Sequence, residues 1–156
     1  MRRLWVLLIS HAVAVAIGFA AGIYALPILT APDAPPDTAV ASVQAEQRFT
    51  ARFERDLADS DALHWGEGDV FIGDREIALA GSLAPGPDYM LYLSPAFIET
   101  EAEFLKQKAS MALVGPVKTF DNFIVPVPEG VDPSNYTTVI VWCESFGQFI
   151  TAGQYR

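Results

Sequence analysis

Cysteine is almost missing from this chain: Cys143 is the only one in 156 residues. One thiol excludes an internal disulfide. With only two histidines, His11 and His64, the chain also lacks the set of Cys and His side chains that a structural zinc site takes. There is no Cys-x-x-Cys-His run for covalent haem attachment. Cations are scarce as well, with 10 Lys and Arg against 19 Asp and Glu, a net charge of −9. So acidic a surface repels phosphate backbones and anionic lipid headgroups, which argues against nucleic-acid binding and electrostatic membrane docking. Also absent are a Gly-x-Ser-x-Gly elbow, a Walker A loop and a Gly-x-Gly-x-x-Gly turn. Gly66-Glu67-Gly68 lacks the third glycine and a following helix. A Ser/His/Asp hydrolase would have to rely on His64 alone. No hydrolase, transferase or nucleotide-binding constellation is recognisable, and whether the chain is an enzyme stays open.

What the sequence has in quantity is apolar residues, 51% of the chain. The longest run, Leu4 to Leu26, carries no charge, and only Ser10, His11 and Tyr24 bring polar groups into it. As a helix it would extend about 35 Å, enough to cross a hydrocarbon core of roughly 30 Å. Arg2 and Arg3 precede it while Asp33 and Asp37 follow. By the positive-inside rule the N-terminus stays cytoplasmic and the rest is periplasmic or extracellular. A cleaved signal peptide is the competing reading. The run is longer than a signal peptide's apolar stretch and ends in no Ala-x-Ala site, so an uncleaved anchor is expected. Gly18 and Gly22 form a Gly-x-x-x-Gly spacing through which two such helices could pair as a homodimer. His11 lies inside the span, where an ionisable group invites a haem or proton role.

Ala31 to Asp37, rich in proline, reads as a stiff spacer. Asp37 or Thr38 then caps a helix expected to run to about Leu57, with Phe49, Phe53 and Leu57 as its apolar stripe. From Asp69 the period becomes strand-like. Short β candidates are Val70–Ile72, Glu76–Ala80, Met90–Leu93, Met111–Val114, Phe120–Val127, Thr138–Cys143 and Gln148–Thr151. Pro126 and Pro128 mark an edge strand or its exit. Thr100-Glu101-Ala102-Glu103 is a capping box opening a short helix to about Ser110. The clustered Glu99, Glu101 and Glu103 read as a solvated helix N-terminus. The expected fold is mainly β: an antiparallel sandwich or small barrel-like domain with one short inserted helix, preceded by a transmembrane helix and an amphipathic helix. The expected organisation is an anchor over 1–30, spacer and amphipathic helix over 31–58, and a β-rich domain over 59–156.

Cys143 is the residue on which any chemistry turns. On a strand, Val139, Val141 and Cys143 point one way and Ile140, Trp142 and Glu144 the other. With Glu144 toward solvent, Cys143 faces inward. A neighbouring carboxylate and an apolar setting both raise a thiol pKa, which disfavours a nucleophilic thiolate. A reactive thiol, a bond to another chain, a cofactor ligand and an ordinary buried residue all remain open. A noncovalent haem held by Cys143, His64, Met90 or Met111 is a further option, and any cofactor is otherwise unknown.

Three segments carry a resemblance. Thr137 to Ala152 places an apolar strand before Cys143, with Phe146 and a small residue following. Gly86-Pro87-Asp88-Tyr89 leads into Met90-Leu91-Tyr92-Leu93-Ser94. Val114-Gly115-Pro116-Val117-Lys118 precedes Phe123-Ile124-Val125-Pro126. In this order, over about Asp69 to Tyr155, they resemble the DM13 domain family. The resemblance implies an extracytoplasmic β-sandwich with an electron-transfer role. It implies that Cys143 acts as a free redox thiol or holds a prosthetic group such as haem, with Phe146 and Phe149 placed to shelter a flat cofactor. Asp88 falls in a matching segment, where a turn aspartate after proline holds backbone amides. A redox module with an unknown partner is therefore the leading expectation. Its rival is a non-catalytic binding or envelope-assembly module that keeps Cys143 as a structural residue.

Overall fold

A computed structural model describes residues 2–156. The first helix, α1 (Arg2–Thr30), is long and apolar enough to cross a membrane. Leu4, Phe19 and Leu29 are among its many exposed apolar side chains. The spacer leads to α2 (Asp37–Ala45). Eight strands follow: β1 (Phe49–Phe53), β2 (Gly66–Ile72), β3 (Glu76–Leu83), β4 (Tyr89–Ser94), β5 (Ala112–Val117), β6 (Asp121–Pro126), β7 (Thr138–Cys143) and β8 (Gln148–Gln154). Between β4 and β5 lies α3 (Glu101–Gln107), which tightens into a 3₁₀ turn over Lys108–Ser110. One half of the expected capping box forms, with Thr100 Oγ accepting from the Glu103 amide, while the Glu103 carboxylate accepts from the Thr100 hydroxyl and not from its backbone amide.

The strands make two antiparallel sheets, ordered β1-β2-β3-β6 and β5-β4-β7-β8. β1 lies against β8 and β5 against β6, so the sandwich is nearly closed along both sides. Gly153 on β8 marks the close approach of β8 to β1: a Cβ there would sit 2.7 Å from the Arg52 carbonyl oxygen. Strand alternation fills the space between sheets with Val70, Ile72, Leu79, Leu91, Leu93, Val139 and Val141. Each outer face is covered by a helix. Val40 and Val43 of α2 pack on Phe71 and Ala78, while Phe104 of α3 packs with Ile140, Trp142 and Phe149. β7 is therefore buried on both faces along its whole length. As its prolines predict, β6 lies at an edge.

One expectation is corrected. The helix does not reach Leu57; it ends at Ala45, and Phe49–Phe53 is the first strand of the first sheet. Phe49 and Phe53 fit a four-residue helical spacing, but with Ala51 between them they also fit strand alternation. Ala51 and Phe53 are buried, while Thr50 and Arg52 are exposed. Pairing with β2, Ala51 opposite Val70, decides between the two periods. Leu57 ends up in the following loop, partly buried against the cluster beneath α3.

Candidate functional site

Strand direction gathers four loops at one end of the sandwich. Residues 54–65 join β1 to β2, 84–88 join β3 to β4, 118–120 join β5 to β6, and 144–147 join β7 to β8. Cys143 closes β7 at this end. It pairs across to Tyr89 on β4 and to Gln148 on β8. Directly opposed residues hold their Cβ atoms about 5 Å apart on one face, so Tyr89 and the thiol are neighbours. The turn after Cys143 reverses at Gly147, whose φ of +64° is one that L side chains rarely adopt. Asp88 ties two of the loops together: its carbonyl accepts from the Glu144 amide at 2.9 Å and its carboxylate from Ser145 Oγ at 2.6 Å. The expected amide-holding carboxylate is not what forms: the Asp88 side chain takes the Ser145 hydroxyl, and only its carbonyl takes an amide.

Cys143 is a free thiol with 3% of its surface exposed. It lines a cavity of about 390 Å³, together with Leu63, His64, Pro85, Tyr89 and Phe146. Ala20, Ile23 and Tyr24 of α1 form one side of the wall. Burial pushes the thiol pKa up. The backbone N–H groups of Phe146, Asp88 and Ser145 act in the opposite sense, without reversing the shift. Burial likewise raises the Tyr89 phenol, and the nearby Cys143 adds to it. Asp61 accepts from His64 Nδ1 at 3.0 Å, and its carboxyl is held below its ordinary value, first by that bond. A carboxylate can only accept, so this contact places a proton on Nδ1, and in the neutral ring Nε2 is then the acceptor.

The residues expected at the site part company. Phe146 lines the cavity with Cys143, and 54% of its surface is exposed. Phe149 is fully buried on the opposite face of the sheet with Trp142 and Phe104. The cause is a register shift between Val141 and Trp142, which sets Trp142 opposite Phe149 and Cys143 opposite Gln148. Without it, regular antiparallel counting would have put Phe149 across from Cys143. Met90 and Met111 also pack on the Trp142 side. His11 contacts the Leu7 carbonyl within α1 at 2.8 Å. Tyr89, Leu63 and the α1 wall were missed by sequence reasoning. Tyr89 had a signal, because its Gly-Pro-Asp-Tyr segment carries part of the family resemblance.

Cys143 does not suit a haem as its ligand. A haem-ligating cysteine is a thiolate, whereas burial favours the neutral thiol here. No Lys or Arg lines the cavity to take the propionates. Among the described residues no group of three or more His, Cys, Asp or Glu could hold a metal ion.

Behind the site, Trp142 stacks on Phe104 with centroids 3.9 Å apart, and Tyr92 meets Phe104 edge-on at 5.2 Å. Glu144 turns toward this cluster, accepting from Lys108 Nζ at 2.7 Å and from the Tyr92 hydroxyl. Burial pushes the Glu144 carboxyl up, but its hydrogen bonds from Lys108 and Tyr92 and the Lys108 charge outweigh that and hold it below its ordinary value.

The family model described as electron transfer DM13 matches residues 37–155, from the first residue of α2 to the end of β8 and one residue beyond. No curated protein and no solved structure matches the chain.

Proposed function

The chain belongs to the electron transfer DM13 family, and from that premise we propose that it is a membrane-anchored, extracytoplasmic redox module whose working group is the Cys143 thiol. The observation that carries this reading is the position of the sole cysteine. Cys143 sits where the core between the sheets reaches the loop end of the sandwich, packed with Val139 and Val141 on one side and lining an open, mainly apolar cavity on the other. Loops set on a rigid scaffold are where binding and chemistry concentrate. The apolar α1 supports the anchor, and its flanking charges support export of the domain.

A second reading has its own observation. The thiol is almost fully buried and its pKa is raised, as befits a structural cysteine in a binding or envelope-assembly module. The two separate in one experiment on the full chain in detergent, purified from an oxidising compartment, alkylated without denaturant and weighed intact. A mixed disulfide, a sulfenic adduct or modification at one site in the folded state supports the redox module. A thiol that is fully reduced and reacts only after unfolding sinks it and leaves the binding module.

A further inference from the structure

We infer that the Cys143 cavity opens at the outer surface of the bilayer and takes the ring of a lipid-dissolved quinone or quinol. This rests on the membrane-anchored redox reading and names the class of molecule that site receives. Three observations carry it.

Depth comes first. Trp5 and Tyr24 are the aromatic residues of α1 nearest its two ends. At 1.5 Å per residue they are separated by about 28 Å, close to the thickness of a hydrocarbon core, and aromatic residues favour its two interfaces. Tyr24, with Ile23 and Ala20 just below it, is also part of the cavity wall. The level of the membrane surface and the level of the cavity therefore coincide.

The second observation is the apolar rim. Leu63 and Phe146, on two different loops, are 55% and 54% exposed beside this opening. Apolar side chains at a membrane surface find a partner in the headgroup boundary. A second cavity at the same end runs between the foot of α1, the spacer residues Ala31 and Pro32, and the 84–88 loop, so spacer and anchor both approach the domain here. Asn122, at the start of β6, holds the Pro35 carbonyl at 3.3 Å and the Asp37 carboxylate at 3.0 Å, which fixes the spacer to this end of the sandwich.

The third is chemical. A cavity of 390 Å³ falls in the range of roughly 300–1,000 Å³ typical of small-molecule sites. Among the described residues the Tyr89 hydroxyl has no hydrogen-bond partner, and His64 spends only Nδ1, on Asp61. A lipid acyl chain could satisfy neither. A quinone carbonyl accepts from the Tyr89 hydroxyl, and a quinol hydroxyl donates to an imidazole nitrogen. The family's redox role favours this ring over an inert one.

The test uses the full chain in phosphatidylcholine vesicles, with decylubiquinone as the probe. At about ten times its Kd the quinone should slow alkylation of Cys143 by a water-soluble maleimide about tenfold, and decane should not. Tyr89→Phe should raise the Kd about tenfold, the effect of one lost hydrogen bond, so that the same quinone concentration slows alkylation only about twofold. Separately, the fluorescence of Phe146→Trp, measured against the parent chain, should be quenched by lipids brominated near the headgroup. Glu129→Trp, on the loop at the far end of the sandwich, should not be. Equal quenching of both variants by aqueous iodide, or protection by decane as strong as by decylubiquinone, overturns the proposal. So does alkylation indifferent to the quinone. A thiol that never oxidises yet is protected by the quinone would remove the redox-thiol reading while leaving this site standing.

Discussion

Cys143 is held between opposing influences, and the balance is measurable. Burial raises the thiol pKa, while backbone amides of the following turn and of Asp88 favour the thiolate. The net shift is upward, so the alkylation rate should be slower than that of a free thiol at pH 7. It should climb about tenfold per pH unit up to pH 9, because only the thiolate reacts. The sign for stability follows. A group whose folded pKa is raised contributes fully below its unfolded value, here 9.0, and that contribution is lost as the pH rises above it. Melting temperature should therefore fall above pH 9 by more in the parent than in Cys143→Ser. That variant should cost only about 1 kcal/mol in chemical denaturation, at the low end for a buried hydroxyl, because the same amides can donate to serine Oγ. At this scale the inward face of Cys143 was legible in the sequence, since Val139 and Val141 precede it at two-residue spacing. Phe149 was not. Its side is set by the irregularity between Val141 and Trp142, which is a property of two paired backbones and leaves no mark in either strand alone.

Elements show the same division. α3 announces itself locally, through Thr100 and Glu103, because a capping box is a contact between residues three apart. β1 does not, because Phe49 and Phe53 satisfy both periods and only the partner strand selects one. Similarly, nothing local says that the outward face of β7 is buried; it takes α3, inserted between two earlier strands, to bring Phe104 onto Trp142. Phe104→Ala opens a cavity beneath that stacked pair and should destabilise the domain by about 3–5 kcal/mol in a denaturant titration. Lys108 tethers the end of this helix to Glu144, which Tyr92 of β4 also binds and whose carboxyl is held below its ordinary value of 4.5. A depressed carboxyl contributes above that value and loses its contribution as the pH falls below it. Acid unfolding of the parent should begin at higher pH, relative to its own neutral stability, than that of Glu144→Gln, which has no such proton to take up.

For the whole molecule, the meeting of four loops around one thiol depends on strand order and direction, and these are long-range pairings with no signature in any single segment. Charge is different, because a net of −9 is read directly from the chain. Much of it acts together at the scale of the domain. Paired arginines on and beside the first sheet, such as Arg52 with Asp69 at 2.7 Å and Arg55 with Glu67 at 2.7 Å, cancel only some of the carboxylates. The remaining field reaches about 10 Å into a solution of 0.1 M salt. It should draw cations toward the loop end and hold anions away from it, whatever the chemistry at the thiol. A cationic and an anionic methanethiosulfonate of similar size offer a direct measure, with each rate divided by that for a small free thiol. At low salt the cationic reagent should modify Cys143 several-fold faster, and the ratio should fall toward one as the ionic strength rises past the point where screening is complete. A ratio that ignores salt would mean that access is governed by the apolar rim of Leu63 and Phe146 alone. The acidic surface would then have no part in choosing what approaches the cavity.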